Sequence, residues 1–196
     1  MSQTATQQVT ILEKIGEGLF GTVNKARYGS ITEFVAVKMI PKIRFRQSPS
    51  LQKMIANEIE VGKKFKHPNI VHLYDNFDTK KEINMIYEFC NQGPLSAIIK
   101  KREIFRENEA IVIVYQMVLA LSELLKNGIV HRDIKPENIL LKDCVVKLAD
   151  FGLCMVGRPV PADRNMIGSM LFMAPESFTN FIYTHKSDIY ALGLVL

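Results

Sequence analysis

The segment His131–Asn138 limits what this chain can fold into more than any other part of the sequence. It reads H-R-D-x-K-P-E-N, and a D-F-G string begins downstream at Asp150. Asp133 is a proton acceptor and Lys135 a cation, while Asn138 and Asp150 carry oxygen ligands of the kind that Mg²⁺ prefers. A fold that brings these groups together provides what phosphoryl transfer requires, because that reaction depends on positioning and charge neutralisation.

The composition is that of an ordinary globular domain, and it narrows the classes of partner. The 196 residues are 47% hydrophobic and 23% charged, with a net charge of +5. The basic residues are scattered, so the sequence predicts no nucleic-acid partner. The polar start Met1–Thr10 resembles no signal peptide, and we expect no apolar run that approaches the length of a membrane span.

The cysteines indicate the compartment. Cys90, Cys144 and Cys154 show neither paired metal-ligand spacing nor a disulfide framework. This usage favours a reducing intracellular compartment. We therefore predict a cytoplasmic location with possible access to the nucleus.

A glycine-rich loop lies near the start of the chain. Gly16, Gly18 and Gly21 match G-x-G-x-x-G-x-V, and glycines allow backbone amides to approach phosphate oxygens closely. A dinucleotide-binding domain shares this pattern, but it requires a helix directly after the third glycine. Here the β-branched stretch Thr22–Ala26 follows and predicts a strand. We therefore expect a hairpin over phosphates and not a dinucleotide-binding fold.

The rest of the first half reads as strands around one helix. Strands are predicted at Val9–Leu12, Thr22–Ala26 and Phe34–Lys38, and again at Ile70–Asn76 and Glu82–Phe89. A helix is predicted from Ser50 to Phe65, with Ser48 or Ser50 as its N-cap and Pro49 near its first turn. Gln92-Gly93-Pro94 then punctuates the chain and predicts a hinge between two lobes.

From Leu95 onward the pattern is helical. The longest element runs from Arg106 to Lys126, and Asn127-Gly128 ends it. Its apolar residues at helix spacing are Ile111, Val114, Tyr115, Val118, Leu121, Leu124 and Leu125. Short strands are expected at Ile139–Leu141 and Val145–Leu148, a loop at Asp150–Pro175, and a last helix from about Lys186.

Taken together, these motifs resemble a eukaryotic-type serine/threonine protein kinase from Val9 to Leu196. The resemblance implies an α+β, bilobal fold with a β-rich N-lobe at residues 9–90 and a helical C-lobe at 91–196, after a tail at 1–8. Lys135, two residues after Asp133, favours serine/threonine over tyrosine kinases. The hinge Glu88–Leu95 is loosely similar to that of NIMA-related kinases.

The resemblance also implies ATP and Mg²⁺ as cofactors and protein Ser or Thr hydroxyls as acceptors. Asp133 would accept the proton of the attacking hydroxyl, and Lys135 would neutralise the transferred phosphoryl group. Lys38 would bind phosphate and be held by Glu58, with Glu60 as the competing partner. The metal ligands would be Asn138 and Asp150. The predicted nucleotide-binding residues are Ile15, Gly16, Gly18, Gly21, Val23, Ala36, Lys38, Glu88, Cys90 and Leu140, with Tyr87 behind the adenine pocket.

The activation segment, Asp150 to Glu176, departs from the family pattern. Ser169 stands where the family more often has Thr, and no Ser, Thr or Tyr lies between Gly152 and Ser169. The usual phosphorylation switch therefore has no acceptor in this stretch. Arg132 would normally pair with that phosphate. Asp163 either supplies a fixed negative charge in its place or is an ordinary solvated residue.

Two further departures concern the helices. Gly62 lies one turn after Glu58, where the family usually packs a large apolar residue between the lobes. The apolar stretch Ala191–Leu196 should be buried, yet the family has further helices packed around it, and one of them supplies an Arg partner for Glu176. We therefore expect a kinase domain that is incomplete in its C-lobe after the start of the central helix. A non-catalytic nucleotide-binding or regulatory fragment is the alternative.

Overall fold

The computed structural model describes residues 9–18, 21–46, 48–102, 104–157 and 168–196. The predicted tail at 1–8 and the charge at Asp163 lie outside the described residues. The chain forms two compact units: Met1–Gln52 with His72–Phe89, and Lys53–Val71 with Cys90–Leu196.

An antiparallel five-stranded sheet makes up most of the first unit. Its strands are β1 (Val9–Glu17), β2 (Thr22–Tyr28), β3 (Val35–Pro41), β4 (Leu73–Asp78) and β5 (Glu82–Glu88). They are ordered β1-β2-β3-β5-β4. All five predicted strands are therefore present, although β1 runs further than expected and β4 begins at Leu73 instead of Ile70.

The two faces of this sheet carry different residues because side chains alternate along a strand. Ala26, Val35, Val37 and Ile86 are fully buried in the apolar core of the unit. The register places Val23 opposite Lys38 and Ala36 opposite both Lys25 and Tyr87. Val23, Ala36 and Lys38, all predicted to contact a nucleotide, therefore share the other face.

The glycine loop is the hairpin between β1 and β2, as predicted. Gly16 pairs with Val23, and the Gly18 N–H donates to the Gly21 carbonyl at 2.8 Å. A Cβ on Gly21 would lie 1.9 Å from the Met39 carbonyl oxygen, so this position requires glycine because β3 packs against it. A Cβ on Gly18 would meet nothing within 4 Å. The strand after Gly21 excludes the dinucleotide-binding fold.

Helix α1 (Pro49–Lys64) matches the predicted helix. Ser48 precedes it, and its Oγ lies 3.5 Å from the Leu51 N–H, which makes Ser48 the N-terminal flanking residue instead of Ser50. The boundary between the two units falls within the helix, after Gln52. Most of α1 therefore belongs to the second unit.

The other elements of the second unit are β6 (Gly93–Pro94), α2 (Leu95–Arg102), α3 (Glu107–Lys126), β7 (Ile129–Val130), β8 (Ile139–Lys142), β9 (Val145–Leu148), β10 (Met155–Val156), α4 (Pro175–Asn180) and α5 (His185–Val195). β6, β8 and β9 form a three-stranded sheet, and β10 pairs with β7. The predicted hinge residues Gly93 and Pro94 thus pair with Leu141 and Leu140 of the second unit, and the boundary between the units follows Phe89.

Helix α3 buries a face that overlaps only in part with the one its apolar pattern predicted. Met117, Ala120, Leu121 and Leu124 are buried in the core of the second unit. Four other residues of the predicted apolar set are exposed: Ile111, Tyr115, Val118 and Leu125. Apolar residues surround most of this helix, so spacing alone could not identify the buried side.

One expectation about apolar segments is wrong. By length and composition α3 is apolar enough to cross a membrane, which contradicts the expectation that no segment approaches such a span. Core helices of soluble proteins meet the same criteria, so this property is weak evidence for a membrane. The stretch Ala191–Leu196 is buried only in part, because Ala191 and Leu192 lie in the core whereas Leu196 is 72% exposed.

Candidate active site

The segment His131–Asn138 forms a loop after β7 that a buried carboxylate supports. Asp188, near the start of α5, accepts hydrogen bonds from the His131 N–H at 2.8 Å and the Arg132 N–H at 2.9 Å. Arg132 has a φ of 68°, a backbone conformation that costs about 1–3 kcal/mol in a non-glycine residue. Burial raises the pKa of Asp188 above its usual range, although the His131 charge and the two backbone N–H groups act in the opposite direction. The Asp188 side chain therefore stabilises the strained loop through two backbone hydrogen bonds.

Asp133 lies at the centre of a polar cluster. Its Oδ2 is 2.8 Å from Lys135 Nζ, and its Oδ1 accepts from the Ser169 N–H at 3.0 Å and from Ser169 Oγ at 2.9 Å. Lys135 Nζ also donates to Ser169 Oγ at 2.8 Å. The Ser169 hydroxyl is thus held between an acceptor and a cation.

The surroundings of Asp133 keep its carboxyl ionised. Burial alone raises the pKa of Asp133, which is 6% exposed. Hydrogen bonding and charge from Lys135, together with hydrogen bonds from Ser169 and Asn138, outweigh burial and bring the pKa below its usual range. An ionised carboxylate beside a half-buried lysine can accept a proton from a hydroxyl group that is placed against it.

The close approach of Ser169 depends on the glycine before it. Gly168 has a φ of 107°, and a Cβ at this position would lie 2.3 Å from the Arg132 carbonyl oxygen. Only glycine avoids both the strain and the clash. The end of the activation segment can therefore lie directly against the His131–Asn138 loop.

Asn138 and Asp150 are suited to hold Mg²⁺ through oxygen. The Asn138 amide nitrogen donates to the Asp133 carbonyl and to Asp133 Oδ2, both at 2.8 Å, which orients its Oδ1 as an acceptor. The Ala149 N–H donates to the Asn138 carbonyl at 2.9 Å, so the residue before Asp150 lies against Asn138. Within the described ranges, no group of three or more His, Cys, Asp or Glu side chains is placed to hold a metal ion by itself. A metal here would rely on these two residues and on phosphate oxygens.

The D-F-G string packs against two elements of its unit. The Phe151 ring lies 5.2 Å from His131 and 6.4 Å from Phe65 between centroids. A Cβ on Gly152 would lie 3.5 Å from Glu58 Oε2. Glu58 is 4% exposed whereas Glu60 is exposed, so burial favours Glu58 over its competitor.

The remaining predicted nucleotide-binding residues are divided between the two units. Ile15 is 44% exposed on β1, and Leu140 lies on β8 opposite Lys147. The Glu88 N–H donates to the His72 carbonyl at 3.0 Å, and the Cys90 carbonyl accepts from the Gly93 N–H at 3.1 Å. Contacts of Glu88 and Cys90 with adenine stay a prediction.

Sequence reasoning missed residues that contact the site from distant positions in the chain. Asp188 carries no local signal, because an Asp in the first turn of a helix is common. Ser187 was also missed: its Oγ donates to Glu176 Oε1 at 2.9 Å. The sequence predicted that Glu176 would lack its usual arginine partner. In the structure, the Glu176 carboxylate accepts a hydrogen bond from Ser187 on α5.

Residues 9–196 match the protein kinase domain. The chain is 37% identical over 188 residues to a probable serine/threonine-protein kinase of Dictyostelium discoideum, covering 95% of this chain and 38% of that protein. It is 36% identical over 188 residues to serine/threonine-protein kinase 36 of Pongo abelii, covering 95% and 14%. It is 36% identical over 182 residues to an Aurora kinase of Schizosaccharomyces pombe, covering 92% and 51%. The chain spans about half or less of the length of these relatives.

Proposed function

We propose, because this chain belongs to the protein kinase domain family, that the protein transfers the γ-phosphoryl group of ATP to Ser and Thr hydroxyls of other proteins. The names of the relatives, two of which are serine/threonine-protein kinases, support this acceptor class. The NIMA-related subfamily and the cytoplasmic location stay predictions.

The observation that carries the proposal is the position of the Ser169 hydroxyl. It donates to Asp133 at 2.9 Å and accepts from Lys135 at 2.8 Å. This is the arrangement that an acceptor hydroxyl needs, with a base for its proton and a cation beside its oxygen. We propose that an incoming Ser or Thr lies next to Ser169 and uses the same pair, with Asp133 taking its proton and Lys135 neutralising the phosphoryl group.

The other predicted residues would position ATP. Lys38 would bind the phosphates, and the backbone of Gly16 and Gly18 would approach them closely. Asn138 and Asp150 would hold Mg²⁺, which neutralises phosphate charge when bound. Val23, Ala36 and Leu140 would each offer apolar surface to the adenine ring.

The test is phosphate transfer by the full-length protein and its Asp133→Asn variant. Asparagine keeps the shape of the side chain but cannot take the proton, so we expect the rate to fall by about 10²–10⁴-fold. Radiolabel transfer from ATP to a generic protein substrate measures it. Asp143→Asn is the matched control, because Asp143 is exposed in the β8–β9 turn and its φ of 49° suits asparagine.

Two results would contradict the proposal. Equal rates in the wild type and in Asp133→Asn would remove Asp133 as the base. A folded wild type that binds Mg·ATP without transferring phosphate would favour the alternative, a non-catalytic nucleotide-binding or regulatory protein.

A further inference from the structure

The side chain of Arg132 contacts residues on both sides of the activation segment. Its Nε donates to the Leu153 carbonyl at 2.6 Å, one residue after the D-F-G string. Its guanidinium carbon lies 5.4 Å from the ring centroid of Tyr183, which follows α4. One cation therefore connects the start of the segment with the chain beyond its end.

Both contacts suit a desolvated cation. A hydrogen bond from a charged donor is short and roughly twice as strong as a neutral one. An aromatic ring within about 6 Å attracts a cation, and more strongly where water is excluded. Tyr183 is 3% exposed. Burial lowers the pKa of Arg132, and the neighbouring Cys154, Tyr183 and Asp188 oppose that effect.

Two other attachments in the described part of the segment also use unmodified side chains. Ser169 is bound to Asp133 and Lys135, and Glu176 is bound to Ser187. The sequence between Gly152 and Ser169 offers no hydroxyl that could carry a phosphate. If Arg132 needed a phosphate to hold its position, no residue in this stretch could carry that phosphate.

We propose that Tyr183 is a positioning residue that acts through Arg132, holding the guanidinium on the Leu153 carbonyl without a phosphate on the activation segment. The proposal rests on the kinase activity proposed above. Asp133 is the residue after Arg132 in the chain, and Leu153 lies just after the D-F-G string. A shift of this arginine would therefore displace the base and the metal-binding carboxylate together. Phosphoryl transfer is sensitive to such displacements because it depends on positioning.

The experiment compares Tyr183→Leu with Tyr183→Phe in the full-length protein. Leucine removes the ring, and we expect kcat to fall about tenfold, equivalent to about 1.4 kcal/mol of transition-state stabilisation, with the KM for ATP changed by less than about twofold. Phenylalanine retains the ring and should restore kcat. Tyr190→Leu is the matched control, because Tyr190 is 43% exposed on α5. Asp163→Asn tests whether Asp163 replaces the missing phosphate as a fixed negative charge for Arg132. We expect this variant to leave kcat unchanged.

A second measurement does not depend on catalysis. Amide hydrogen exchange at residues 150–157 should become faster in Tyr183→Leu than in Tyr183→Phe or Tyr190→Leu, at temperatures well below each variant's melting point. Phosphatase treatment of the wild type should leave its rate unchanged.

The outcomes separate the two proposals. A wild type without transferase activity would overturn the proposed function, while hydrogen exchange would still decide the contact between Arg132 and Tyr183. Equal exchange and equal kcat in the leucine and phenylalanine variants would overturn the positioning role. So would a loss of activity after phosphatase treatment, or an equal loss in Asp163→Asn.

Discussion

At the scale of single residues, the site depends on one hydroxyl between opposite charges. Ser169 Oγ donates to Asp133 and accepts from Lys135, while its N–H also binds Asp133. The serine thus connects the end of the activation segment to Asp133 and to Lys135. Its backbone contact would survive a substitution, but its hydroxyl contacts would not.

We predict that Ser169→Ala lowers kcat by about tenfold, because about 1–2 kcal/mol of hydrogen bonding to charged groups is lost. Ser169→Thr keeps the hydroxyl and should retain most of the activity. Steady-state kinetics of the two variants at saturating ATP measures the difference. Similar losses in both would show that volume, and not the hydroxyl, matters at this position.

The same variant has a signed effect on the pH dependence. The hydrogen bond from Ser169 helps to lower the pKa of Asp133, so removing it raises that pKa. Because the base must be ionised, the acid limb of the kcat profile should move to higher pH in Ser169→Ala. An unchanged acid limb would mean that Asp133 does not control it.

At the scale of elements, residues at the start of α5 both cap this helix and bind α4. Thr184 Oγ1 accepts from the Lys186 N–H at 3.2 Å, and the Thr184 N–H donates to Ser187 Oγ at 3.2 Å, so these two residues cap the helix. Ser187 Oγ also donates to Glu176 on α4. A residue that caps α5 therefore also binds the preceding helix, α4.

We predict that Thr184→Ala and Ser187→Ala each lower the free energy of unfolding, by about 1 kcal/mol for the lost cap. Ser187→Ala should cost more, because it also leaves the Glu176 carboxylate without this donor. Urea denaturation of both variants gives the comparison, with Thr184→Ser as the conservative control. Equal losses in both alanine variants would argue that the contact with Glu176 adds nothing.

At the scale of the whole molecule, stability should depend on the protonation of a half-buried histidine. His67 Nδ1 accepts from the Asn69 N–H at 3.0 Å, and Asn69 in turn donates to Gln116 and to the Val146 carbonyl, both at 3.0 Å. The network joins the segment after α1 to α3 and β9. Protonated His67 has no acceptor at Nδ1, so the hydrogen bond that links His67 to this network requires the neutral ring.

Burial lowers the pKa of His67 from 6.5 in the folded protein. The unfolded chain therefore takes up a proton first as the pH falls, and stability is lost below about pH 6.5 and retained above it. We predict a lower urea midpoint at about pH 5.5 than at about pH 8, with a smaller difference in His67→Asn. An equal pH dependence in both proteins would exclude His67 as the cause.

The sequence by itself determined the reactive groups and most of the elements. The residues of His131–Asn138 are contiguous, so their chemistry can be read without knowing the fold. The strand after Gly21 could be predicted because β-branched residues and glycines act locally. Apolar periodicity located α3, although not the face that it buries.

Only the tertiary structure decided which distant residues contact the His131–Asn138 loop and the activation segment. Asp188 and Tyr183 contact the loop, and Ser187 contacts Glu176, yet nothing in their local sequence distinguishes these three residues. The buried side of α3 was likewise decided by its neighbours, because apolar residues surround most of that helix. Local patterns record what a residue can do, whereas contacts between distant segments depend on how the whole chain packs.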